Sequence, residues 1–598
     1  MTRSLFTVAG LAARYAASPH VVFNVVEEIV ARLAACDDPA IFITPVAPDD
    51  LRAAARELVA RAPDPASLPL WGVPFAVKDN IDVAGLATTA ACPAFAFTPE
   101  RDATVVARLK AAGALVVGKT NLDQFATGLN GTRSPFGAPK NAIDPAYVSG
   151  GSSSGSAIAM ARGLCAFSLG TDTAGSGRVP AAFNNLVGIK PTPGLVPNTG
   201  VVPACASLDC VTVFAASVAD GVAVRRVIEG YDAADPWSRP IAPIGLAATP
   251  RVGVLAPKDR QFHGDDEAAA LYAAAIDKAS AFGWSTVEFD WAPFAEIAAL
   301  LYEGPWLAER LAEFEDRLDR TPEIFDPTVR GLLESSRRFS AADAFRGQHR
   351  LKALLRRANE VATGFDFMLL PTSPTIETIA AMRADPVRLN ARFGTYTNFV
   401  NFCGQAAVAV PASFRANGLP FGVTLIGAEG SDDALAPFAA RWHAASACGA
   451  GPRREPVGDV APAPADDGFL EIVVVGAHLT GQPLNRQLVD GGGRLVRATR
   501  TAADYRLYAL ADTVPPKPGL IREPGFSGPG LEVEVWALPP AAFGRFVAAI
   551  PAPLGVGRVR LADGSEATGF LCEPFALAGA REITDLGGWR AHLAATRG

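Results

Sequence analysis

The sequence predicts a layered α/β fold followed by a small, mostly β domain. A helical pattern that begins at Asp102 and ends at Gly113 runs directly into a buried apolar strand at 115–118. Repeated helix and strand units of this kind favour a sheet covered by helices. Alternating apolar residues near the end of the chain, as at 531–538, are instead typical of strands in a small β-rich domain.

Length and composition divide the chain into two domains. A chain of 598 residues exceeds one ordinary hydrophobic core. The composition, 49% hydrophobic and 19% charged, is that of a globular protein. A segment rich in proline and glycine separates two regions with clear strand and helix patterns. We therefore predict a first domain at 1–446, a linker at 447–468 and a second domain at 469–598.

The charge and the cysteines exclude several classes of function. The net charge is −7 and no basic block occurs, which argues against nucleic acid as a partner but not against a small anionic substrate. We find no convincing signal peptide and no apolar run of about 18 residues, so no membrane segment is expected. The eight cysteines include no Cys-x-x-Cys pair and no zinc-ligand spacing. A reducing, cytoplasmic location without a metal is the expectation.

Two serine-rich turns, 150–155 and 172–177, stand on either side of an apolar run that can form a helix and then a strand. Glycines allow tight turns and close approach of backbone to a ligand. Such turns can direct backbone N–H groups and hydroxyls at one point, as an acyl-transfer site requires. The alternative is a pair of plain loops. A phosphate loop is excluded because no Gly-Lys-Ser/Thr follows, and the Gly-x-Ser-x-Gly elbow is absent.

The base for a serine nucleophile is predicted to be a lysine. None of the six histidines lies within the glycine and serine block or beside it. A lysine kept neutral by burial can do the same work. Lys78 ends an apolar, strand-like run at 70–77, a position that favours its burial. Lys119 is a second candidate, but it follows a glycine, which favours a loop, and we rank it below Lys78.

Three segments, 72–80, 150–153 and 170–176, together resemble the landmarks of the amidase signature family. The separation of Ser152 and Ser176 also matches that of the family's bridging serine and nucleophile. The resemblance extends over roughly residues 20–446. It implies a central mixed, mostly parallel, twisted sheet covered by helices, and it implies no cofactor.

The same resemblance assigns roles to individual residues. Ser176 is implied to be the nucleophile, Ser152 the bridging serine on a cis peptide bond, and Lys78 the base. Ser152 would relay the proton of Ser176 to neutral Lys78 and later return it to the leaving amine. The oxyanion hole is implied to consist of the backbone N–H groups of Thr173, Ala174, Gly175 and Ser176.

The segment 301–310 bears on the substrate. Helical spacing alone favours an exposed Arg310 that pairs with Glu309 or Glu313. The segment nevertheless resembles one in allophanate hydrolases, where a tyrosine and an arginine at this separation hold the substrate carboxylate. It thus implies that Tyr302 and Arg310 bind allophanate, because the guanidinium fork and a phenol suit a small carboxylate.

The resemblance to allophanate hydrolases also implies a reaction, a source of substrate and an oligomeric state. The terminal amide of allophanate would be cleaved to ammonia and N-carboxycarbamate, which decays to ammonia and CO2, in urea degradation. A separate biotin-dependent urea carboxylase would supply the substrate. A homodimer is expected from the same resemblance.

The final 130 or so residues distantly resemble the γ-glutamylcyclotransferase fold, through 476–485, 505–508 and 531–538. The acidic catalytic residue of that fold is absent from 549–553, so cyclotransferase chemistry is not expected. Long allophanate hydrolases carry such a domain, and the resemblance implies that it helps the carboxylated product break down. His478 would be its central residue; the alternative is a histidine with a structural role.

Other functions remain open from the sequence. The chain could be an amidase for another small amide, or the glutamine-hydrolysing component of a tRNA-dependent amidotransferase. A binding or scaffold protein with an inactive site is a third possibility, against which Lys78, Ser152 and Ser176 all count.

Overall fold

The computed structural model describes residues 4–247, 249–457, 469–511, 513 and 516–597. These residues form two compact units, one within Met1–Ile241 and Thr249–Ala463, the other within Ala242–Ala248 and Pro464–Gly598. Within the described ranges, no helix combines the length and apolar character needed to cross a membrane.

The domain boundaries differ from the prediction in two places. Ala242–Ala248 groups with the second unit, although it lies inside the predicted first domain. The start of the predicted linker packs on the first unit: the Gly451 N–H donates to the Asn185 carbonyl at 2.7 Å, and Ala450 forms a bridge with Glu455. Glycine and proline at this point therefore form a folded turn rather than an extended linker. Residues 458–468 of the predicted linker lie outside the described residues.

The first unit is built on an eleven-stranded sheet. In chain order its strands are β1 Phe42–Pro45, β2 Pro74–Lys78, β3 Leu115–Thr120, β4 Phe167–Asp172, β5 Val187–Lys190, β6 Cys210–Ala215, β7 Arg251–Leu255, β8 Ser285–Phe289, β9 Phe367–Pro371, β10 Ala406–Phe414 and β11 Pro420–Gly427. Their order across the sheet is β1, β3, β2, β4, β6, β5, β10, β11, β9, β7, β8.

The sheet is mixed, as predicted, but the expectation that it is mostly parallel is wrong. Six neighbouring pairs of strands are antiparallel and four are parallel. Strands β10 and β11 are joined by a short connection, which permits only antiparallel pairing, whereas parallel neighbours need a long crossover. The parallel pairs lie towards the two ends of the strand order.

Helices cover this sheet. They are α1 Val8–Tyr15, α2 Val21–Ala34, α3 Pro48–Arg61, α4 Thr104–Ala111, α5 Ser154–Ala161, α6 Val179–Phe183, α7 Val218–Ile228, α8 Asp266–Ala281, α9 Ala292–Glu303, α10 Trp306–Arg320, α11 Pro327–Ser336, α12 Ala341–Ala362, α13 Ile379–Ala384, α14 Arg388–Phe393 and α15 Asp432–Ser446.

The predicted helix and strand unit after Asp102 is confirmed as α4 and β3. Gly113 follows the helix with φ +94°, a conformation that a residue with a Cβ rarely adopts. Lys119 lies inside β3 and is buried, so the loop expected there is wrong. The preceding Gly118 belongs to the same strand, where an added Cβ would meet backbone atoms of the neighbouring strand within 3 Å.

The pairing of β2 with β4 positions the candidate site. These strands are parallel neighbours, with Val77 opposite Leu169. Because parallel strands end at the same edge of a sheet, Lys78 at the end of β2 comes close to Asp172 at the end of β4. Both strands are completely buried, as expected for apolar runs in a sheet covered on both faces.

The second unit is small and rich in β structure, as predicted. A five-stranded sheet has the order β13, β16, β12, β18, β17, and a three-stranded sheet the order β15, β14, β19. The elements are β12 Leu470–Val474, α16 Arg486–Asp490, β13 Arg494–Arg500, β14 Tyr505–Ala509, β15 Pro518–Arg522, β16 Glu532–Leu538, α17 Pro540–Ala548, β17 Leu554–Arg560, β18 Glu566–Cys572, β19 Arg581–Glu582 and α18 Trp589–Arg597.

Candidate active site

Lys78 lies at the end of β2 and is completely buried. Its Nζ donates to the Ser152 hydroxyl at 2.8 Å and to the Thr171 hydroxyl at 2.7 Å. Burial lowers the pKa of Lys78 to about 7, because removing the ammonium from water disfavours the charged form. A substantial fraction of this lysine is therefore neutral near pH 7 and can accept a proton.

Three buried carboxylates oppose the effect of burial on Lys78. Those of Asp209, Asp123 and Asp172 each act to raise its pKa by Coulomb attraction, in that order of strength. None of them is a hydrogen-bond partner of the Lys78 amine within the described residues. Burial therefore outweighs the three charges.

Ser152 follows a cis peptide bond from Gly151, as the resemblance implied. The glycine is required by close packing: a Cβ on Gly151 would lie 2.1 Å from Asp123 Oδ2. The Asp123 carboxylate accepts backbone N–H groups from Asn130, Gly131 and Arg133 at 2.9 to 3.2 Å. It thereby holds the 130–133 loop against the turn that carries Ser152.

A buried ion pair supports the second turn. Arg178 donates through Nε and Nη2 to the two oxygens of Asp172, both at 2.9 Å, and neither side chain is exposed. The same carboxylate accepts the N–H groups of Gly175 at 2.8 Å and Gly177 at 3.0 Å. Although burial alone would raise the pKa of Asp172, Arg178 and these donors hold it below its usual value. The backbone of this turn thus binds the ionised carboxylate of Asp172 through its N–H groups.

Ser176 lies in this turn and is 3% exposed. Its hydroxyl donates to the Gly128 carbonyl at 3.4 Å. Among the described residues, the N–H groups of Thr173, Ala174 and Ser176 meet no protein acceptor, as the predicted role of oxyanion donor requires. Gly175 is a correction to the predicted oxyanion hole. Its N–H is already bonded to Asp172, which leaves three of the four predicted donors.

Arg310 is buried and does not form the predicted surface pair. Its Nη1 donates to the Thr127 hydroxyl at 2.7 Å, and its Nε has no partner among the described residues. Glu309 instead accepts from the Ser207 backbone and hydroxyl. Thr127 immediately precedes Gly128, the acceptor of the Ser176 hydroxyl. The buried guanidinium and the predicted nucleophile are therefore connected through two consecutive residues.

Tyr302 lies at the end of α9, and Arg310 lies in α10. The break between the two helices at Gly304 and Pro305 turns the chain so that both side chains converge. The guanidinium carbon of Arg310 lies 5.8 Å from the centre of the Tyr302 ring. The two residues predicted to hold a carboxylate are thus neighbours.

Lys119 forms a separate buried ion pair. Its Nζ lies 3.2 Å from Asp79 Oδ1 and donates to the Thr88 hydroxyl at 2.9 Å. Burial lowers the pKa of Lys119, and Asp79 opposes the shift. A lysine paired with a carboxylate is a poorer base than Lys78, whose partners are hydroxyls.

His478 lies in the second unit, after β12, and lines a cavity of about 310 Å³. Its Nε2 lies 3.0 Å from Gln487 Oε1, and its ring stacks on Phe570 with centres 5.4 Å apart. Phe546 meets the ring edge-on at 5.0 Å. Burial lowers the pKa of His478, so the imidazole is neutral near pH 7.

Several site residues were not predicted from the sequence. Thr127, Asp123 and Asp209 come from loops that carry no familiar motif. A weak signal existed in the run Thr127-Gly-Leu-Asn-Gly131, whose glycines and small polar residues are typical of a loop that approaches a ligand.

Comparison with protein families matches residues 24–436 to the family described as Amidase and residues 470–594 to the family described as Allophanate hydrolase C-terminal domain. The chain belongs to the amidase family. As an amidase-family hydrolase it carries its Lys78, Ser152 and Ser176 within the first matched range. The second match covers the small β-rich unit, including His478.

Relatives of this amidase include a urea amidolyase, an allophanate hydrolase and a glutamyl-tRNA(Gln) amidotransferase component. Urea amidolyase of Lachancea kluyveri is 44% identical over 550 residues, which is 88% of this chain but 30% of that protein. The solved allophanate hydrolase of Kluyveromyces lactis has 39% identity and a TM-score of 0.84, and the match covers 99% of both chains. A glutamyl-tRNA(Gln) amidotransferase component of Synechococcus sp. (strain CC9605) is 35% identical, over 68% of this chain and 89% of its own. The chain thus spans about a third of the length of the urea amidolyases that it matches.

Proposed function

We propose that this amidase hydrolyses allophanate, cleaving the terminal amide to ammonia and N-carboxycarbamate. The observation that carries the proposal is the buried Arg310, whose guanidinium is held by Thr127 beside the loop that contacts Ser176. A buried cation with an unpaired N–H favours a substrate that brings its own carboxylate. The similarity to Kluyveromyces lactis allophanate hydrolase over the whole chain supports it.

In the proposed mechanism the Ser176 hydroxyl attacks the amide carbonyl. Its proton passes through Ser152 to neutral Lys78, and the carbonyl oxygen becomes an oxyanion held by backbone N–H groups of the 173–176 turn. The proton then returns by the same route to the leaving nitrogen, and ammonia departs. Water attacks the acyl-enzyme with Lys78 again as the base, which releases N-carboxycarbamate and restores Ser176.

The substrate would be held by Arg310 and Tyr302 at its carboxylate end. With the carboxylate fixed, the amide carbonyl is positioned for attack, so part of the barrier is removed by orientation. A separate enzyme, a biotin-dependent urea carboxylase, would supply the allophanate. A cytoplasmic homodimer is proposed with it, and light scattering of the purified chain measures the dimer.

For the second unit we propose that His478 assists decay of N-carboxycarbamate to ammonia and CO2. Its support is a neutral imidazole that lines a cavity large enough for a small anion. Replacement His478→Phe keeps an aromatic ring against Phe570 while removing both nitrogens. We expect the first ammonia to be released at the normal rate and CO2 release to slow. An unchanged rate of CO2 release would assign His478 a structural role.

The test of the proposed function is ammonia release from allophanate, compared with urea, malonamate and glutamine. Wild type, Ser176→Ala and Arg310→Ala are assayed beside Arg320→Ala, a control arginine on the exposed face of the same helix. We expect allophanate to be preferred, Ser176→Ala to be inactive, and Arg310→Ala to lose activity mainly on carboxylate-bearing substrates. Equal cleavage of neutral amides, unaffected by Arg310→Ala, would remove the substrate assignment and leave an amidase.

Glutamine in this comparison addresses the second candidate, an amidotransferase glutaminase. The similarity to the glutamyl-tRNA(Gln) amidotransferase component favours that function for the first unit. It leaves the second unit unexplained, whereas the allophanate hydrolase match includes it. A preference for glutamine would reverse the order of the two candidates.

A further inference from the structure

A short segment, 204–209, contacts the turn that holds Ser176. Asp209 at its end is 5% exposed, and its Oδ1 accepts a hydrogen bond from the Thr173 hydroxyl. Its Oδ2 accepts the backbone N–H groups of Ala204 at 2.7 Å and Cys205 at 3.2 Å. A backbone N–H can only donate, so Oδ2 serves as the acceptor of both groups. Asp209 therefore closes its own segment into a loop and binds it to the turn.

The other side of this segment is held by the helix that carries Arg310. Glu309 Oε1 accepts the Ser207 N–H at 2.8 Å, and its Oε2 accepts the Ser207 hydroxyl at 2.7 Å. The Cys205 thiol also lies 3.1 Å from Glu309 Oε2. Glu309 and Arg310 are consecutive in α10. The segment 204–209 therefore connects the helix that carries Arg310 to the turn that holds Ser176.

We propose that Asp209 is a positioning residue for the amide cleavage proposed above, on which this inference rests: it fixes the 173–176 turn through Thr173 and places a negative charge near Lys78. The side chain touches neither Ser176 nor Lys78 by hydrogen bond. It acts through Thr173 on the geometry of the oxyanion donors and through the electric field on the base.

The charged groups around Lys78 and Asp209 determine the effect of removing the Asp209 charge. Lys78 faces the carboxylates of Asp209, Asp123 and Asp172. Burial raises the pKa of Asp209, and the hydrogen bonds from Thr173 and from the backbone of Ala204 and Cys205, together with the guanidinium of Arg310, oppose that rise. Loss of the Asp209 charge removes one of the three attractions on the Lys78 ammonium. The proton then leaves Lys78 at a lower pH.

Two variants separate the two actions of Asp209. Asp209→Asn keeps the shape but removes the charge; its amide oxygen can still accept the two backbone N–H groups, and its NH2 then faces the Thr173 hydroxyl, which reverses that hydrogen bond. Thr173→Val removes the hydroxyl that Asp209 holds and keeps the charge. Asp220→Asn is the control: Asp220 is a buried carboxylate of the same unit, 4% exposed, that accepts the Ala9 N–H and is not among the groups acting on Lys78.

The measurement is the rate at which a fluorophosphonate labels Ser176, followed from about pH 5 to pH 9, with thermal unfolding of each variant recorded alongside. This rate reports activation of the serine without depending on the natural substrate. We expect both variants to label about tenfold more slowly or worse, because Thr173→Val loses the hydrogen bond that holds the turn and Asp209→Asn replaces it with a weaker, uncharged one of reversed direction. Only Asp209→Asn should move the midpoint of the pH profile, towards lower pH.

The outcomes distinguish this proposal from the proposed substrate. If Asp209→Asn remains folded and labels with the rate and midpoint of wild type, the positioning role is refuted. A slower rate with an unmoved midpoint, matched by Asp220→Asn, would refute it too, because a general packing defect then explains the loss. If wild type is labelled but cleaves no allophanate, the substrate assignment fails and the role of Asp209 is judged from the labelling data alone.

Discussion

Lys78 Nζ lies 2.8 Å from Ser152 Oγ, and neither side chain is exposed to solvent. The second partner of the amine is another hydroxyl, that of Thr171. A buried lysine with hydroxyl partners is not locked in its charged form as an ion-paired lysine would be. This relationship suits Lys78 to the proposed role of base near neutral pH, and it distinguishes Lys78 from Lys119, which pairs with Asp79.

The first prediction concerns pH. Burial lowers the pKa of Lys78 to about 7, so the amine is protonated below that pH and neutral above it. The proposed base must be neutral, and kcat/KM is therefore expected to rise about tenfold per pH unit below pH 7 and to level off above it. Lys78→Met should be inactive throughout the range. A profile that is flat between about pH 5 and pH 7 would contradict Lys78 as the base.

The second prediction concerns Thr127. Its hydroxyl accepts from Arg310 Nη1 at 2.7 Å and has no role in the proton relay. Thr127→Val keeps the shape of the side chain but frees the guanidinium, so KM for allophanate should rise about tenfold, the value expected for one hydrogen bond to a charged group. The effect on a neutral amide should be small. Equal losses on charged and neutral substrates would show that Thr127 only supports the loop around Gly128.

The third prediction concerns the Asp172 and Arg178 pair. Arg178→Met leaves a buried carboxylate without its cation and should reduce the free energy of unfolding by about 3–5 kcal/mol. Because the folded-state pKa of Asp172 is lowered, the stability that it contributes is present above the unfolded pKa and is lost as pH falls through the folded pKa. Denaturant titrations of wild type and variant at several acidic pH values measure this difference.

Arg320→Met is a control for this prediction. Arg320 pairs with Asp316 at 3.7 Å on the surface, where its side chain is 79% exposed. An exposed pair contributes at most about 1 kcal/mol. If Arg178→Met cost no more than Arg320→Met, the ion pair would not be what holds the turn around Asp172.

The fourth prediction concerns Gly151. A methyl group there would lie 2.1 Å from Asp123 Oδ2 and 2.6 Å from the Gly131 nitrogen, so the Ser152 turn must shift. We expect Gly151→Ala to lose activity almost completely and to unfold at a lower temperature. Gly331→Ala is the matched control, since Gly331 lies in α11 with open space around its Cβ position. That variant should be neutral or up to about 1 kcal/mol more stable, and activity in Gly151→Ala would contradict the packing around Ser152.

Local sequence predicted a large part of the fold. Apolar runs that end at Lys78 and Asp172 predicted buried strands, and both strands are present. The helix and strand after Asp102 and the β-rich second unit were also predicted, because periodicity reports which face of an element is buried. The direction of strand pairing was not. It depends on which strands become neighbours, as β10 and β11 do, and this is a property of the whole sheet.

Arg310 shows where local patterns fail. Helical spacing predicted an exposed Arg310 paired with Glu309 or Glu313. Only the family resemblance predicted that Arg310 binds the substrate. In the structure it is 2% exposed and bound to Thr127, which is 183 positions away in the chain. A helix pattern cannot report a partner that another loop brings to it.

The sequence by itself determined the chemistry that this protein carries: two serine-rich turns, a lysine at the end of an apolar strand, and a second, β-rich unit after a proline-rich segment. Tertiary structure alone decided which of these groups are free to act. In the folded chain the Gly175 N–H donates to Asp172 and Lys119 pairs with Asp79, whereas the partners of Lys78 are hydroxyls. The physical reason is that protonation and hydrogen bonding depend on burial and on partners distant in sequence, which only the assembled sheet brings together.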